Sequence, residues 1–202
     1  MLKAIIFDLN GVFIISPKLS SRFEKDFHIP TAKFLPKLSE IMDKVRRPNA
    51  EPAFTYWKPV LEEWRVNLSD KEFWDYWFEA EKPNEEMINL AKELRKRRLK
   101  VITLSNNFKE RAEYYGHYPW LSDSIDTSYF SWQTGLVKPD VRAWEKVLSD
   151  NALAAEECLY FDDQEKNLKA SESLGIKSFI FTTAVDVKEI LNVYLVNDKT
   201  RL

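Results

Sequence analysis

Four short apolar segments recur along this 202-residue chain, separated by stretches with helical patterns. The apolar segments are residues 4–7, 101–104, 158–161 and 178–181, and the helical patterns are residues 84–96, 139–149 and 165–174. Apolar runs this short are typical of strands buried on both faces of a parallel sheet. Because parallel neighbours must be joined by crossovers, the alternation predicts a doubly wound α/β fold with right-handed connections. A further short strand is predicted at residues 129–132 and a last helix at residues 187–193.

Residues 16–83 do not follow this alternation, since they contain no glycine and are rich in charge, proline and tryptophan. Trp57 and Trp64 are seven residues apart and Trp74 and Trp77 three apart, spacings that place each pair on one face of a helix. We predict that they form the core of a small inserted helical subdomain; the alternative is that one or two line a pocket facing the sheet. The predicted division is an α/β core at residues 1–15 and 84–202 and a helical insert at residues 16–83.

The composition excludes several classes of protein. A formal net charge of −2 gives no electrostatic basis for binding nucleic acid or an anionic membrane, and no apolar run is long enough to span a bilayer. The single cysteine, Cys158, excludes an internal disulfide framework and is typical of a reducing compartment. The first residues lead into the first strand without a signal-peptide pattern. We therefore expect a cytoplasmic protein with neither nucleic acid nor membrane as partner; no sequence pattern indicates its oligomeric state.

Polar residues stand where three of the predicted strands end. They are Asp8; Ser105, Asn106 and Asn107; and Asp162 and Asp163. Ligands of an open parallel sheet bind outside the carboxyl ends of its strands, so these groups should meet at one edge. One such residue could merely cap a helix, but three clusters at the same edge predict a functional site. Lys138, in the segment GLVKPD, adds a basic group just before a predicted helix.

This set of residues suits phosphoryl chemistry. Asp8, Asp162 and Asp163 would concentrate negative charge, which is costly unless a cation binds, and oxygen ligands favour Mg²⁺. Lys138 and the Ser105 hydroxyl could then bind the oxygens of a phosphoryl group. A carboxylate beside a metal-bound phosphate is a plausible nucleophile that would form an aspartyl-phosphate.

The segments IIFDLNGV, VITLSN, GLVKPD and CLYFDDQEKN occur in this order, with a long insert between the first and second. In this the chain resembles the haloacid dehalogenase-like (HAD) hydrolase superfamily over essentially its full length. It looks most like the group that contains the N-terminal phosphatase domain of soluble epoxide hydrolases and bacterial sugar-phosphate phosphatases. The resemblance implies a Rossmann-like core, a helical cap inserted after the first segment, and a Mg²⁺-dependent hydrolase.

The resemblance also implies roles for individual residues. Asp8 would be the nucleophile, and the implied groups that bind and stabilise the phosphoryl group are Ser105, Asn106 and Lys138. The implied Mg²⁺ site consists of Asp8, the backbone carbonyl of Asn10, Asp162 and Asp163, with Asn167 in support. Asp163 would be the direct ligand, with Asp162 either coordinated or just behind the ion.

Asn10 departs from the family pattern, in which a second aspartate usually protonates the leaving oxygen. An amide cannot exchange a proton near neutral pH, and general acid–base catalysis contributes roughly 10²–10⁴-fold. Three interpretations stay open. The protein is a phosphatase whose acid is a cap residue, a water or the substrate; or it binds a phosphorylated ligand with weak or no turnover, through a natural or introduced change at this position; or it is a dehalogenase.

In capped members of the superfamily the cap selects the substrate, which here we expect to be a small phosphorylated metabolite. The candidate cap residues are His28, Arg46, Arg47, Trp57, Trp64 and Arg65. Arg46 and Arg47 precede Pro48, and a solvated helix end is the favoured interpretation for both.

Overall fold

The computed structural model describes residues 1–199, and the side chains of residues 1–195. Its strands are β1 (Ala4–Phe7), β2 (Ile14–Ile15), β3 (Lys82–Pro83), β4 (Lys100–Ser105), β5 (Thr127–Phe130), β6 (Cys158–Asp162) and β7 (Lys177–Ile180). Its helices are α1 (Leu19–Phe27), α2 (Thr31–Val45), α3 (Ala53–Glu63), α4 (Asp70–Phe78), α5 (Glu85–Lys96), α6 (Lys109–Gly116), α7 (Pro119–Ser124), α8 (Ser131–Thr134), α9 (Arg142–Asp150), α10 (Glu165–Glu172) and α11 (Ala184–Lys199). Within residues 1–199, no helix combines the length and apolar character needed to cross a bilayer.

Five strands form a parallel sheet in the order β5-β4-β1-β6-β7. The central strand β1 pairs with β4 on one side and β6 on the other, aligning Ile5 with Val101 and with Leu159. This architecture confirms the predicted α/β fold. Because all five strands point the same way, the residues after β1, β4 and β6 lie side by side at one edge of the sheet.

Side chains alternate between the two faces of the sheet. Ile5 and Phe7 project into a core that α5 and α11 cover, whereas Ala4 and Ile6 project into a second core beneath α9 and α10. All four side chains are fully buried. This two-sided burial explains why β1 reads as a continuous apolar run rather than as an alternating one.

The fourth predicted strand is less buried than expected. In β7, Lys177 and Ile180 are exposed and Ser178 and Phe179 half-buried. The prediction that this strand is buried on both faces is therefore wrong. The physical reason is the strand order, which places β7 at the edge of the sheet with a single neighbour, β6.

Three predicted boundaries shift for local reasons. The strand predicted at residues 129–132 spans Thr127–Phe130, because the chain turns into α8 at Ser131. The helix predicted at residues 139–149 begins only at Arg142, whose N–H donates to the Asp140 side chain over 3.0 Å in the preceding turn. The last helix, α11, extends beyond both ends of the predicted residues 187–193.

The helices α1 to α4, which we call the cap, are joined to the sheet through an antiparallel ribbon of β2 and β3. Trp57 is fully buried among them, its ring centroid 5.5 Å from that of Phe34 and 5.2 Å from that of Phe73. Trp64 and Trp77 are buried in the same cluster, and Trp74 packs against it half-buried. The tryptophans therefore form the core of the cap. The exact division at residues 16 and 83 stays a prediction, although the ribbon lies at both ends of this segment.

Candidate active site

Asp8 directly follows β1, and backbone hydrogen bonds set its position. Its N–H donates to the carbonyl of Phe161 over 2.9 Å, and one carboxylate oxygen accepts from the N–H of Leu9 over 2.7 Å. Gly11 then adopts a left-handed conformation with φ of +90°, and a Cβ there would lie 2.5 Å from Asp163 Oδ2. Only a residue without a side chain lets the turn after β1 approach the end of β6 this closely, which brings Asp8 and Asp163 together.

Lys138 lies between two buried carboxylates. Its Nζ is 3.1 Å from Asp8 Oδ1 and 2.6 Å from Asp162 Oδ2, and it donates to the Tyr160 hydroxyl over 3.1 Å. The Asn106 side chain holds the backbone of Lys138, accepting from its N–H over 2.7 Å and donating to its carbonyl over 2.8 Å. The sequence predicts a substrate contact for Asn106, and this stays a prediction: the residue lines the cavity described below, and its amide oxygen and one of its two N–H groups are engaged with Lys138. Its side chain positions Lys138.

Asp162 is fully buried and accepts hydrogen bonds at both oxygens. Its donors are Lys138, Tyr160, Asn167 and the N–H of Gln164. Burial alone would raise the pKa of Asp162, but the Lys138 charge and the hydrogen bonds from Lys138, Tyr160 and Asn167 outweigh it, so the pKa is lowered. Asp162 therefore stays ionised and anchors Lys138, and Asn167 supports that carboxylate.

Asn10 connects the turn after β1 to the end of β4. Its Nδ2 donates to Ser105 Oγ over 3.1 Å, so the Ser105 hydroxyl hydrogen is available to another acceptor. Its Oδ1 is buried and has no hydrogen-bond partner within the described residues. The amide thus orients Ser105, a contact that an ionised aspartate, which only accepts, could make only with the hydroxyl turned around.

Three carboxylates converge at this edge of the sheet. Asp8, Asp162 and Asp163 each place one oxygen within 4.8 Å of the others. Burial, and then the charges of Asp8 and Asp162, raise the pKa of Asp163 to about 6. Burial also raises the pKa of Asp8, although Lys138 opposes the shift. Both shifts reflect negative charge that a bound cation would neutralise.

The donor set fits a hard divalent cation such as Mg²⁺. All the side-chain ligands on offer are carboxylate oxygens, the type that Mg²⁺ prefers. Since Asp162 already accepts from four donors, Asp8 and Asp163 are the carboxylates with free oxygens to hold an ion.

These groups open into a cavity of about 400 Å³ between the sheet edge and the cap. The sheet edge contributes Asp8, Asn10, Ser105, Lys138 and Asp163. The rest of the wall carries the basic side chains Lys18, Arg46, Arg111 and Lys166. An acidic floor that can hold a cation, beneath a basic wall, suits an anionic ligand.

The surroundings of Arg46 differ from the expectation based on the sequence, in which both Arg46 and Arg47 lie at a solvated helix end. Arg47 is exposed, and its Nε donates to the carbonyl of Lys44 over 2.9 Å. Arg46, the residue that ends α2, is instead half-buried and lines the cavity. The solvated interpretation is therefore wrong for Arg46, because neighbouring side chains at a helix end point about 100° apart and so meet different surroundings.

The other cap candidates do not reach the cavity. His28 and Arg65 are exposed and have left-handed backbones, with φ of 58° and 57°; His28 directly follows α1, and Arg65 lies two residues after the end of α3. Trp57 and Trp64 lie in the cap core. Among the described residues of the cavity wall, Arg46 is the one that the sequence analysis proposed from the cap.

Arg111, on α6, is a cavity residue that the sequence analysis missed. It forms an ion pair with Glu81, and its guanidinium also bonds to Ser16 Oγ over 3.2 Å and to the Tyr115 hydroxyl over 2.8 Å. Burial works against the charged form, but Tyr115 and Glu81 outweigh it and raise the pKa of Arg111. No sequence motif marks this position, since Arg111 becomes recognisable only when α6 is placed beside the ribbon.

Comparison with known protein families identifies the family of this chain. The model of the haloacid dehalogenase-like hydrolase family matches residues 2–175. The chain belongs to this family. The match spans both the sheet edge that carries the candidate site and the cap, so that the whole cavity falls within it.

Individual relatives of this HAD-like hydrolase are distant. It is 24% identical over 200 residues to bifunctional epoxide hydrolase 2 of Sus scrofa, covering 89% of this chain and 36% of that protein. It is 28% identical over 108 residues to the sesquiterpene phosphatase astK of Aspergillus oryzae, covering 52% of this chain and 53% of that protein. Thus the chain spans about a third and about half of the length of these two curated relatives.

Solved structures show the same fold. The HAD family enzyme bt-2542 of Bacteroides thetaiotaomicron, in complex with magnesium and inorganic phosphate, matches with a TM-score of 0.75 at 21% identity, covering 90% of this chain and 95% of that one.

Proposed function

We propose that this HAD-like hydrolase is a Mg²⁺-dependent phosphatase that hydrolyses the phosphate monoester of a small metabolite through Asp8. The observation that carries the proposal is the Asp8 carboxylate at the floor of the cavity, 3.1 Å from Lys138 Nζ and clustered with Asp163. Asp8 is held by the Lys138 ammonium group and lies beside Asp163, which could bind a metal ion. Asp8 is thus arranged for nucleophilic attack on a phosphoryl group bound to that metal. The magnesium- and phosphate-containing structure of bt-2542 and the similarity to a sesquiterpene phosphatase support this reaction class.

The proposed reaction has two steps on Asp8. First, an Asp8 oxygen bonds to phosphorus while the bond from phosphorus to the ester oxygen breaks, which leaves an alcohol and an aspartyl-phosphate. Water then attacks the phosphorus, the bond to Asp8 breaks, and inorganic phosphate is released with the carboxylate restored.

The neighbouring groups have distinct tasks in this scheme. Lys138, paired with Asp8 and Asp162, stabilises negative charge on the transferring group, and the Ser105 hydroxyl donates to one of its oxygens. Mg²⁺ held by Asp8, Asp163 and the Asn10 carbonyl would supply further electrostatic stabilisation of the phosphoryl oxygens. Because Asn10 cannot donate a proton to the leaving oxygen, that proton would come from water, and the hydroxide left behind takes up the proton that is released when water attacks the aspartyl-phosphate.

Phosphate release from p-nitrophenyl phosphate and from glucose 6-phosphate, with and without Mg²⁺, tests the proposal. We expect release that requires Mg²⁺ and is abolished in Asp8→Asn, which keeps the size of the side chain but removes the nucleophilic carboxylate. Phosphate release that survives in Asp8→Asn, or no release from either ester, contradicts the proposal.

A second candidate is a phospho-ligand-binding protein with weak or no turnover, and Asn10 is the observation in its favour. This candidate predicts that phosphate esters raise the melting temperature without forming product. A dehalogenase, the third interpretation, would release halide from a 2-haloacid without metal. The Asp162–Asp163 pair favours metal and phosphate over that reaction.

A further inference from the structure

Arg46 is the one arginine of the cavity wall whose charge is not matched by a carboxylate. Its Nε is buried without a hydrogen-bond partner, and within residues 1–195 its guanidinium forms no hydrogen bond or ion pair. Lys138, in contrast, pairs with Asp8 and Asp162, and Arg111 pairs with Glu81. A partly buried guanidinium without a partner is costly, so its retention at a cavity calls for a ligand.

The surroundings of Arg46 reinforce this point. Arg111 is close enough to disfavour the charge of Arg46: burial and then Arg111 lower the pKa of Arg46, and the smaller opposing effects of Asp43 and Asp8 do not compensate. Lys18, exposed at the same cavity, has no ion pair within the described residues. Arg46 and Arg111 are therefore neighbouring positive charges on a cavity wall that Lys18 also lines, and Glu81, the carboxylate that pairs with Arg111, is already engaged.

The phosphoryl group that is hydrolysed does not need Arg46. The groups proposed to hold it, Asp8, Ser105 and Lys138, all come from the sheet edge, whereas Arg46 comes from the end of α2 in the cap. A cavity of about 400 Å³ has room for more than one phosphoryl group. Arg46 is therefore available to the part of the substrate that leaves.

We propose that the substrate carries a second anionic group, a carboxylate or a second phosphate, on its leaving-group side, and that Arg46 binds this group. This inference rests on the proposed phosphatase function. A guanidinium binds either anion through paired N–H donors, so the shared chemistry is a planar or tetrahedral oxyanion, and Lys18 adds charge at the cavity mouth.

Matched substrate pairs test the inference and separate its two forms. 3-Phosphoglycerate differs from glycerol 3-phosphate by a carboxylate in place of a hydroxymethyl group, and fructose 1,6-bisphosphate differs from fructose 6-phosphate by a second phosphate. In one of the two pairs, we expect kcat/KM to be higher for the compound that carries the second anionic group. The pair that shows the preference identifies the second group as carboxylate or phosphate.

Arg46→Gln and its matched control Arg47→Gln locate the binding group. A charged hydrogen bond is worth enough to change affinity roughly 10–100-fold. Arg46→Gln should reduce the preference ratio within the favoured pair by that factor, mainly through KM, and Arg46→Lys should restore part of it. Arg47→Gln, at the exposed neighbour, should leave the ratio unchanged. No preference in either pair, or an equal loss for both partners in Arg46→Gln, overturns the inference.

Binding measurements distinguish failure of the inference from failure of the proposed function. Calorimetric titration of the same four compounds into Asp8→Asn, with and without Arg46→Gln, reports affinity without turnover. If no compound releases phosphate with the unmodified chain but the second anion still tightens binding through Arg46, the phosphatase proposal fails and the anion site stands. If the second anion leaves affinity unchanged, the anion site is refuted whatever the activity.

Discussion

Asn10 occupies a position where an acid would serve the proposed reaction. Its amide instead has a structural role. It donates to Ser105 Oγ over 3.1 Å and so links the turn after β1 to the end of β4. Its Oδ1, buried without a partner in the described residues, is the atom that an acid would use to carry the missing proton. Hydrolysis should therefore depend strongly on how readily the leaving oxygen departs without protonation.

Asn10→Asp should accelerate hydrolysis of substrates with poor leaving groups. We expect kcat for an alkyl phosphate such as glycerol 3-phosphate to rise by roughly 10²–10⁴-fold, because a general acid becomes available. p-Nitrophenyl phosphate, whose leaving group needs little protonation, should gain much less. Steady-state rates for both esters, measured side by side on the two proteins, check this; an equal change for both esters would show that position 10 does not act through the proton.

The raised pKa of Asp163 leads to a prediction of how stabilisation of the protein by Mg²⁺ depends on pH. This pKa of about 6 lies above its ordinary value of 3.8, so between these values the metal-free folded protein binds more protons than the unfolded chain. The contribution of Asp163 to stability is therefore present at low pH and lost as the pH rises through about 6. Mg²⁺ requires the ionised carboxylate, so its stabilising effect should grow over the same interval.

The measurement is the melting temperature with and without Mg²⁺ at pH 5, 6, 7 and 8. The Mg²⁺-dependent increase should be small at pH 5 and complete at pH 8, because the proton then no longer competes for Asp163. In Asp163→Asn the increase should be largely lost at every pH. A Mg²⁺ effect of constant size across the series would rule out Asp163 as the ligand that titrates.

The turn between β1 and β2 is the element that assembles the carboxylates. It places Asp8 at the end of the central strand and reverses direction at Gly11, where the N–H of Gly11 donates to the carbonyl of Ile14 over 2.8 Å. Since a Cβ at Gly11 would lie 2.5 Å from Asp163 Oδ2, the geometry of this one turn also determines where Asp163 can lie.

Gly11→Ala should therefore impair metal binding, although the substitution adds only one methyl group. The left-handed backbone and the contact with Asp163 together should cost about 1–3 kcal/mol of stability. Displacement of Asp163 should raise the Mg²⁺ concentration for half-maximal activity roughly 10–100-fold. Gly116→Ala is the matched control, since nothing lies within 4 Å of a Cβ there and its helix favours alanine. Urea unfolding and Mg²⁺ titrations of both variants provide the test, and similar behaviour of the two would contradict it.

The position of the cap over the sheet edge depends on a small contact around Phe108. The ring of this buried residue, next to α6, lies 5.6 Å from Trp74 and 5.4 Å from Trp77 of the cap, measured between centroids. A hydrogen bond over 2.7 Å from the N–H of Ala53 to Glu110 Oε1 reinforces the contact. Because Arg46 reaches the cavity from the cap, we expect this contact to help hold Arg46 in place above the sheet edge.

Phe108→Ala should loosen the cap as well as destabilise the protein. Loss of a buried phenylalanine costs about 3–5 kcal/mol. Phe73→Ala, in the interior of the cap, should cost a similar amount, since that side chain is equally buried. The KM for a phosphate ester should rise in Phe108→Ala and change much less in Phe73→Ala. Urea unfolding combined with steady-state kinetics separates the two effects, and an equal rise in KM would mean that it follows from stability alone.

The sequence alone was sufficient to predict the parallel sheet, the cap and the position of Asp8, Ser105 and Asp162 at one edge of the sheet. The reason is that periodicity is local and that parallel strands necessarily present their carboxyl ends together. It could not distinguish Arg46 from Arg47, since the packing of the cap on the sheet edge decides which of the two side chains reaches the cavity.

Other features depended on contacts between residues far apart in the chain. The exposure of β7 follows from the strand order, and the engagement of Asn106 with the Lys138 backbone follows from how two loops meet. The Arg111–Glu81 pair joins α6 to the ribbon. The sequence therefore determined which chemical groups the sheet edge offers, whereas only the tertiary structure decided which cap and loop side chains surround them, because no local pattern encodes the packing of one element on another.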